Sequence, residues 1–197
     1  MDEPFSKLYL IRHGDTAWSE GHRHTGLTDL ALNIRGEQQA RRLGHRLRGL
    51  SFARIFTSPL RRARQTCELA GFALEAESDP DLVEWDYGDF EGRTTMEIRR
   101  ERPNWDLFRD GCPNGEMPRD VAARAQRFIK KVQGEQGDVL AFASGHIIRV
   151  IAAQWLTLGP EAARYFLSST ASVGMLGYEH ADSEPVIRLW NEHGEFD

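Results

Sequence analysis

Cysteine is scarce: Cys67 and Cys112 are the only two in 197 residues, far apart and without CxxC or other metal-like spacing. That argues against a disulfide framework or a zinc knuckle, and both read as free thiols. Long apolar runs are missing too, none approaching the roughly 18 residues of a membrane span. The opening MDEPFSK shows no basic segment followed by an apolar stretch, so the expected location is the cytoplasm, with no membrane partner. Charge of one sign is not in excess. Thirty acidic against 25 basic side chains leave a formal net charge of -5, which gives no reason to expect nucleic acid as a partner. Nothing marks a linker or a repeat, and the chain reads as one domain over 1–197.

What is present is an alternation of short apolar runs with amphipathic stretches. LYLIR (8–12), ARIFTS (53–58) and DVLAFA (138–143) read as strands whose near-continuous apolar character predicts burial on both faces of a parallel sheet. Ala40, Leu43, Leu47 and Leu50 share one face of a helix over 33–49, with Arg41, Arg42, Arg46 and Arg48 on the solvated side. Ser58-Pro59 predicts an N-cap with a first-turn proline, followed by Leu60, Ala63, Cys67 and Ala70 at helical spacing. Further helices are expected over 94–102, 119–133 and, buried, 145–158, with a closing pair of strands at 173–179 and 185–190. The fold class is α/β: a doubly wound, mostly parallel sheet with helices on both faces.

Ligands of such sheets collect outside the carboxyl ends of the strands. Three strand ends carry polar chemistry here: Arg12-His13-Gly14-Asp15-Thr16, Thr57-Ser58-Pro59-Leu60-Arg61-Arg62, and Ser144-Gly145-His146. A neutral imidazole is a competent nucleophile toward phosphorus, a guanidinium grips phosphoryl oxygens, and a following glycine lets backbone come close. His13 is otherwise a hydrogen-bonded structural histidine. Arg62 either leans over the same strand edge or belongs to a solvated run with Arg61 and Arg64. Glu84, flanked by Trp85 and Tyr87, is either a surface carboxylate or a partly desolvated one, whose raised pKa would suit proton transfer.

Taken in order, LYLIRHGDTAWSEGHRHTGLTD, TSPLRRARQT, LVEWDYGDFEG and DVLAFASGH resemble the histidine phosphatase superfamily, the phosphoglycerate mutase-like family, and within it the small bacterial acid or sugar phosphatases. GCPNGE (111–116) and the HTG at 24–26 carry the likeness to that branch. The resemblance implies a three-layer sandwich, no cofactor and no metal. It makes His13 the phosphorylated nucleophile, Arg12 and Arg62 the grip on the phosphoryl group, and Glu84 the group that protonates the leaving alcohol and then activates water. It places His146 near the phosphate, and Thr16, Ser19, Thr25, Gly26 and Tyr87 around the substrate. Asp15, Ser19 and Met117 depart from the family pattern and would retune the pocket. A larger departure is Ser144: aligning Gly145 and His146 with the family's His-Gly-His puts serine where a second catalytic histidine is expected. The implied activity is hydrolysis of a small phosphorylated metabolite, a sugar phosphate or phosphoglycerate, at reduced rate.

Other readings stay open at this point. A phosphate-ligand binding or regulatory protein with little turnover fits the serine. A phosphoglycerate mutase is a narrower alternative, kept open by Arg99, Arg100 and Arg102, although the segment after Glu84 is short. A serine hydrolase built on Ser144 lacks the G-x-S-x-G turn, since Phe142 and His146 stand at its glycines. A metal hydrolase built on His13, His22 and His24 lacks ligand-rich spacing. Trp85, Tyr87, Phe90, Trp105, Phe108 and Met117 either wall the pocket or belong to the core. A homodimer is left open.

Overall fold

The structure, a computed structural model, describes residues 6–180 and 184–193; most of the MDEPFSK segment lies outside them. Its centre is a six-stranded sheet in the order β3-β2-β4-β1-β5-β6, formed by β1 (Leu8–Arg12), β2 (Arg54–Thr57), β3 (Ala76–Ser78), β4 (Val139–Ala143), β5 (Val173–Tyr178) and β6 (Pro185–Glu192). β3, β2, β4 and β1 pair in parallel, and β5 runs antiparallel to β1 and to β6. The period of two along each strand sends alternate side chains to opposite layers. Leu8, Leu10, Phe56, Val139 and Ala141 enter one core with α6 (Pro118–Gln133) and α7 (Gly145–Trp155). Tyr9, Ile11, Ile55, Leu140 and Phe142 enter the other, with α2 (Ile34–Arg46) and α3 (Arg61–Leu69). The remaining helices are α1 (Ala17–Glu20), α4 (Thr95–Glu101) and α5 (Leu107–Asp110). No helix among the described residues is long and apolar enough to cross a membrane.

Local chemistry corrects several expectations. α3 starts at Arg61, not at Ser58-Pro59, and its N-cap residue Leu60 offers no side-chain acceptor. The acceptor comes from outside the helix: Asp29 Oδ1 takes the Arg61 amide at 2.6 Å. Leu50 is exposed because α2 ends at Arg46 and the chain turns away after the buried Leu47. Arg46 is not solvated; its side chain is 10% exposed and reaches across to Glu192. α7 stops at Trp155 rather than 158, and Thr157 takes a left-handed φ of 58°. The edge strand β3, with a burial pattern of one half-buried and two exposed residues, carries no apolar signal and was not predicted.

Candidate active site

The site begins with the ladder between β1 and β4. Arg12 pairs with Ala143, and the His13 amide donates to the Ala143 carbonyl at 3.0 Å, so His13 leaves its strand beside Ser144. On the other side of β4, the Ser58 amide donates to Phe142 at 2.8 Å, bringing α3 and its Arg62 to the same edge. Three segments distant in sequence meet here.

His13 is buried, and its Nδ1 lies 2.7 Å from the Gly14 carbonyl. Only a protonated Nδ1 can donate there, which leaves the lone pair of the neutral ring on Nε2. Burial, then the charges of Arg62 and Arg12, hold the imidazole pKa well below its ordinary 6.5, so the nucleophilic form predominates near neutral pH. The loop carrying it is pinned. The Gly14 amide donates to Thr66 Oγ1 at 3.1 Å, and a Cβ at Gly14 would stand 2.4 Å from the Gly36 carbonyl; only glycine allows that approach.

Arg12 donates through Nη1 to the Ser168 carbonyl, and its guanidinium lies over the first turn of α7. A Cβ at Gly145 would come within 3.1 Å of its Nε and Cζ. Arg62 is wholly buried, contrary to a solvated role: Nη1 donates to Thr28 at 3.0 Å and Nη2 to the carbonyls of Thr25 at 3.0 Å and Gly26 at 2.8 Å. Burial lowers the pKa of both guanidinium groups, opposed by the charge of Glu84. Arg12 Nε, Arg62 Nε and Ser144 Oγ are all buried with no protein partner. Unsatisfied buried donors are costly, and two cations with unused donors beside a neutral imidazole suit a tetrahedral oxyanion.

Glu84 corrects the expectation of a raised pKa. Burial does push its carboxyl up, but the His146 ring and the backbone amides outweigh it and hold it well below the usual carboxylate range. Oε1 accepts the amides of Trp85 at 2.8 Å and Ile147 at 2.9 Å, and Oε2 accepts that of His146 at 2.9 Å. Two of these belong to the first turn of α7, where unsatisfied N–H groups and the helix dipole favour an anion. The carboxylate is therefore ionised in the free protein.

Beyond it stands a wall of rings. The Tyr87 hydroxyl lies 2.5 Å from His146 Nδ1, with His24 packed against both rings at centroid distances of 4.8 and 5.9 Å. Burial, then the charge of His146, lowers the His24 pKa to about 3, and its Nε2 meets Thr95 Oγ1 at 3.2 Å. Phe108 packs on His146 at 5.4 Å and carries the Arg149 guanidinium 4.5 Å above its ring. Arg149 is held by the carbonyls of Ala163 and Arg164, both at 3.0 Å, and burial lowers its pKa to about 10. It was not predicted as a site residue, though a single arginine in an apolar helix was the signal. Trp85 and Phe90 are core; Trp105 is buried and edges onto His24. Met117 is partly exposed on a separate groove between α6 and the turn after α7.

The residues expected around the substrate are engaged in local structure. Thr16 is fully buried and caps α1, with its hydroxyl accepting from the Ser19 amide at 3.1 Å. Ser19 Oγ in turn accepts the Thr16 amide at 2.8 Å and donates toward Asp15. Thr25 hydroxyl donates to the Arg23 carbonyl, while the backbones of Thr25 and Gly26 hold Arg62. Ser144 Oγ has no base on it, so nothing activates it as a hydrolase nucleophile. His13, His22 and His24 do not gather ligand atoms within 4.8 Å of one another.

A buried neutral imidazole beside two buried guanidinium groups, at the carboxyl ends of a doubly wound sheet, has the chemistry to receive a phosphoryl group. The model of the histidine phosphatase superfamily (branch 1) matches residues 8–193, and the chain belongs to that superfamily. It is 40% identical over 186 residues to sedoheptulose 1,7-bisphosphatase of Saccharomyces cerevisiae, covering 78% of this chain and 68% of the relative. To an acid phosphatase of Mycobacterium tuberculosis it is 38% identical over 178 residues, covering 88% and 87%. The solved structure of a functionally characterised open reading frame from Mycobacterium tuberculosis superposes with a TM-score of 0.91 at 35% identity, covering 95% of this chain and 98% of that one. The chain is thus a histidine phosphatase with the phosphoglycerate mutase-like fold.

Proposed function

We propose that the protein hydrolyses a small phosphate monoester of the sugar phosphate or phosphoglycerate type through a phosphohistidine at His13. The observation that carries this reading is the neutral His13, with Nδ1 held by Gly14, set among the unused donors of Arg12 and Arg62. The names of the two relatives, a sugar bisphosphatase and an acid phosphatase, support the substrate class. In the first step Nε2 attacks phosphorus, the P–O bond to the alcohol breaks, and the leaving oxygen takes a proton. In the second, water attacks phosphorus, the N–P bond breaks with its electron pair returning to Nε2, and the water's proton is removed.

Glu84 is the group assigned to both proton transfers. It is ionised in the free protein, and the negative charge of an arriving phosphate raises its affinity for a proton. Proton uptake therefore accompanies substrate binding. Ser144 occupies the position of the second histidine. A serine hydroxyl donates one hydrogen bond and carries no charge, so stabilisation of the spreading phosphoryl charge is weakened; losing such a donor costs about 10²–10³ in rate. His146 does not replace it in this geometry, because its Nδ1 is taken by Tyr87 and burial disfavours its cation.

The test is incorporation of labelled phosphate. Incubation with a sugar phosphate labelled in its phosphate group should give an acid-labile phosphoenzyme in the wild-type chain and none in His13→Ala. Label persisting on His13→Ala overturns the assignment.

A further inference from the structure

Glu91 is half-buried, faces the loop at 25–28 and has no part in the scheme above. Its Oε1 accepts the Gly26 amide at 2.9 Å and the Thr28 amide at 3.2 Å, and its Oε2 also accepts Gly26 at 3.0 Å. The carbonyls of the same loop point the other way, onto Arg62. The peptide unit joining Thr25 to Gly26 is thus sandwiched: its C=O accepts from the Arg62 guanidinium and its N–H donates to the Glu91 carboxylate. Thr28 is held by the same two residues through two successive peptide units, its amide on Glu91 and its carbonyl on Arg62. Charge at both ends polarises the Thr25–Gly26 peptide and strengthens the bonds on either side of it.

We propose that Glu91 is the positioning residue for Arg62: it fixes the loop whose carbonyls hold that guanidinium with its Nε unpartnered and turned to the phosphoryl group. The inference rests on the reading of Arg62 as a phosphate-gripping residue. Two facts make the dependence strong. Arg62 has no carboxylate of its own in hydrogen-bond contact; its partners are the carbonyls of this loop. The other anchors lie at either end of this stretch: His24 exchanges backbone bonds with Gly92 and Arg93, both at 2.8 Å, and beyond Thr28 Asp29 Oδ1 accepts the Arg61 amide at 2.6 Å and Gln65 Oε1 accepts that of Leu32 at 2.9 Å. Between them only Glu91 accepts the amides of Gly26 and Thr28. Without Glu91 the stretch from Thr25 to Thr28 loses the acceptor for two of its amides, and the carbonyls facing Arg62 lose their fixed direction.

A double-mutant cycle on inorganic phosphate binding, read by calorimetry, separates the possibilities. Wild type, Arg62→Ala, Glu91→Ala and the double variant are compared, with melting temperature recorded for each. Glu91→Ala should weaken phosphate binding about tenfold in the native background and less than about twofold in the Arg62→Ala background. Glu91→Gln retains an acceptor without the charge, so it should fall between wild type and Glu91→Ala; it takes over the cycle should the alanine variant not fold. An equal loss in both backgrounds, or no loss at all, overturns the role given to Glu91. Phosphate binding that is absent in wild type, or unchanged by Arg62→Ala, instead overturns the reading of the site on which it rests.

Discussion

Arg12, Arg62 and Ser144 keep buried polar atoms that no protein group satisfies, whereas Tyr87, His146 and His24, in the wall of the same site, are tied to one another and to Thr95. The cradle is locked from behind: main-chain carbonyls fix each guanidinium and leave one edge unused. The wall is closed on itself, with its histidines held neutral by burial. Unmet capacity marks the place built for charge, and met capacity marks the surface that shapes what carries the charge.

Predictions can break or sharpen this contrast. The largest concerns the cradle: Ser144→His should raise phosphate release from sugar phosphates and phosphoglycerates by about 10²-fold, since it adds a donor where charge spreads. A change below about tenfold would sink the account of that position. A smaller effect is expected in the wall. Tyr87→Phe removes the hydroxyl on His146 and should lower kcat/KM by about three- to tenfold, the worth of one neutral hydrogen bond. A loss comparable to that from Arg62→Ala would mean that the two regions are not distinct in function.

A further effect, on stability rather than on rate, also belongs to the wall. His24 binds a proton below pH 6.5 when unfolded, but only near pH 3 when folded. Between those values the unfolded chain carries more protons, so stability falls as pH drops through this window, at about 1.4 kcal/mol per pH unit for one such group. His24→Gln should flatten the pH dependence of unfolding free energy by that amount, measured by denaturant titration from pH 7 to 4.5. An unchanged slope would show that His24 is protonated in the folded protein.

The central strands and the helix face of Ala40, Leu43 and Leu47 were readable because each writes a periodic apolar signal that burial enforces, and the strand-end clusters because polar residues follow directly where those apolar runs stop. β3 writes none, since two of its three residues face solvent. Ser58-Pro59 misled for a different reason: the α3 amide is satisfied by Asp29, 32 residues upstream, and no local pattern announces a cap from that distance. Glu84 was legible as a site residue but not in its ionisation, because the amides of His146 and Ile147 reach it only once α7 is folded over it. Glu91 was not legible at all. Its task is defined by loop amides 63 and 65 positions away, and a carboxylate after an aromatic residue has no distinctive spacing.

The pairing of Arg12 with Ala143 gives His13 and Ser144 different freedoms. Their adjacency is inherited from the main-chain ladder, so it survives any exchange of the side chain at 144. The nucleophile is bound to its place by the packing of Gly14 on Gly36, while the neighbouring position behaves as a socket, open to refitting without moving the part it serves.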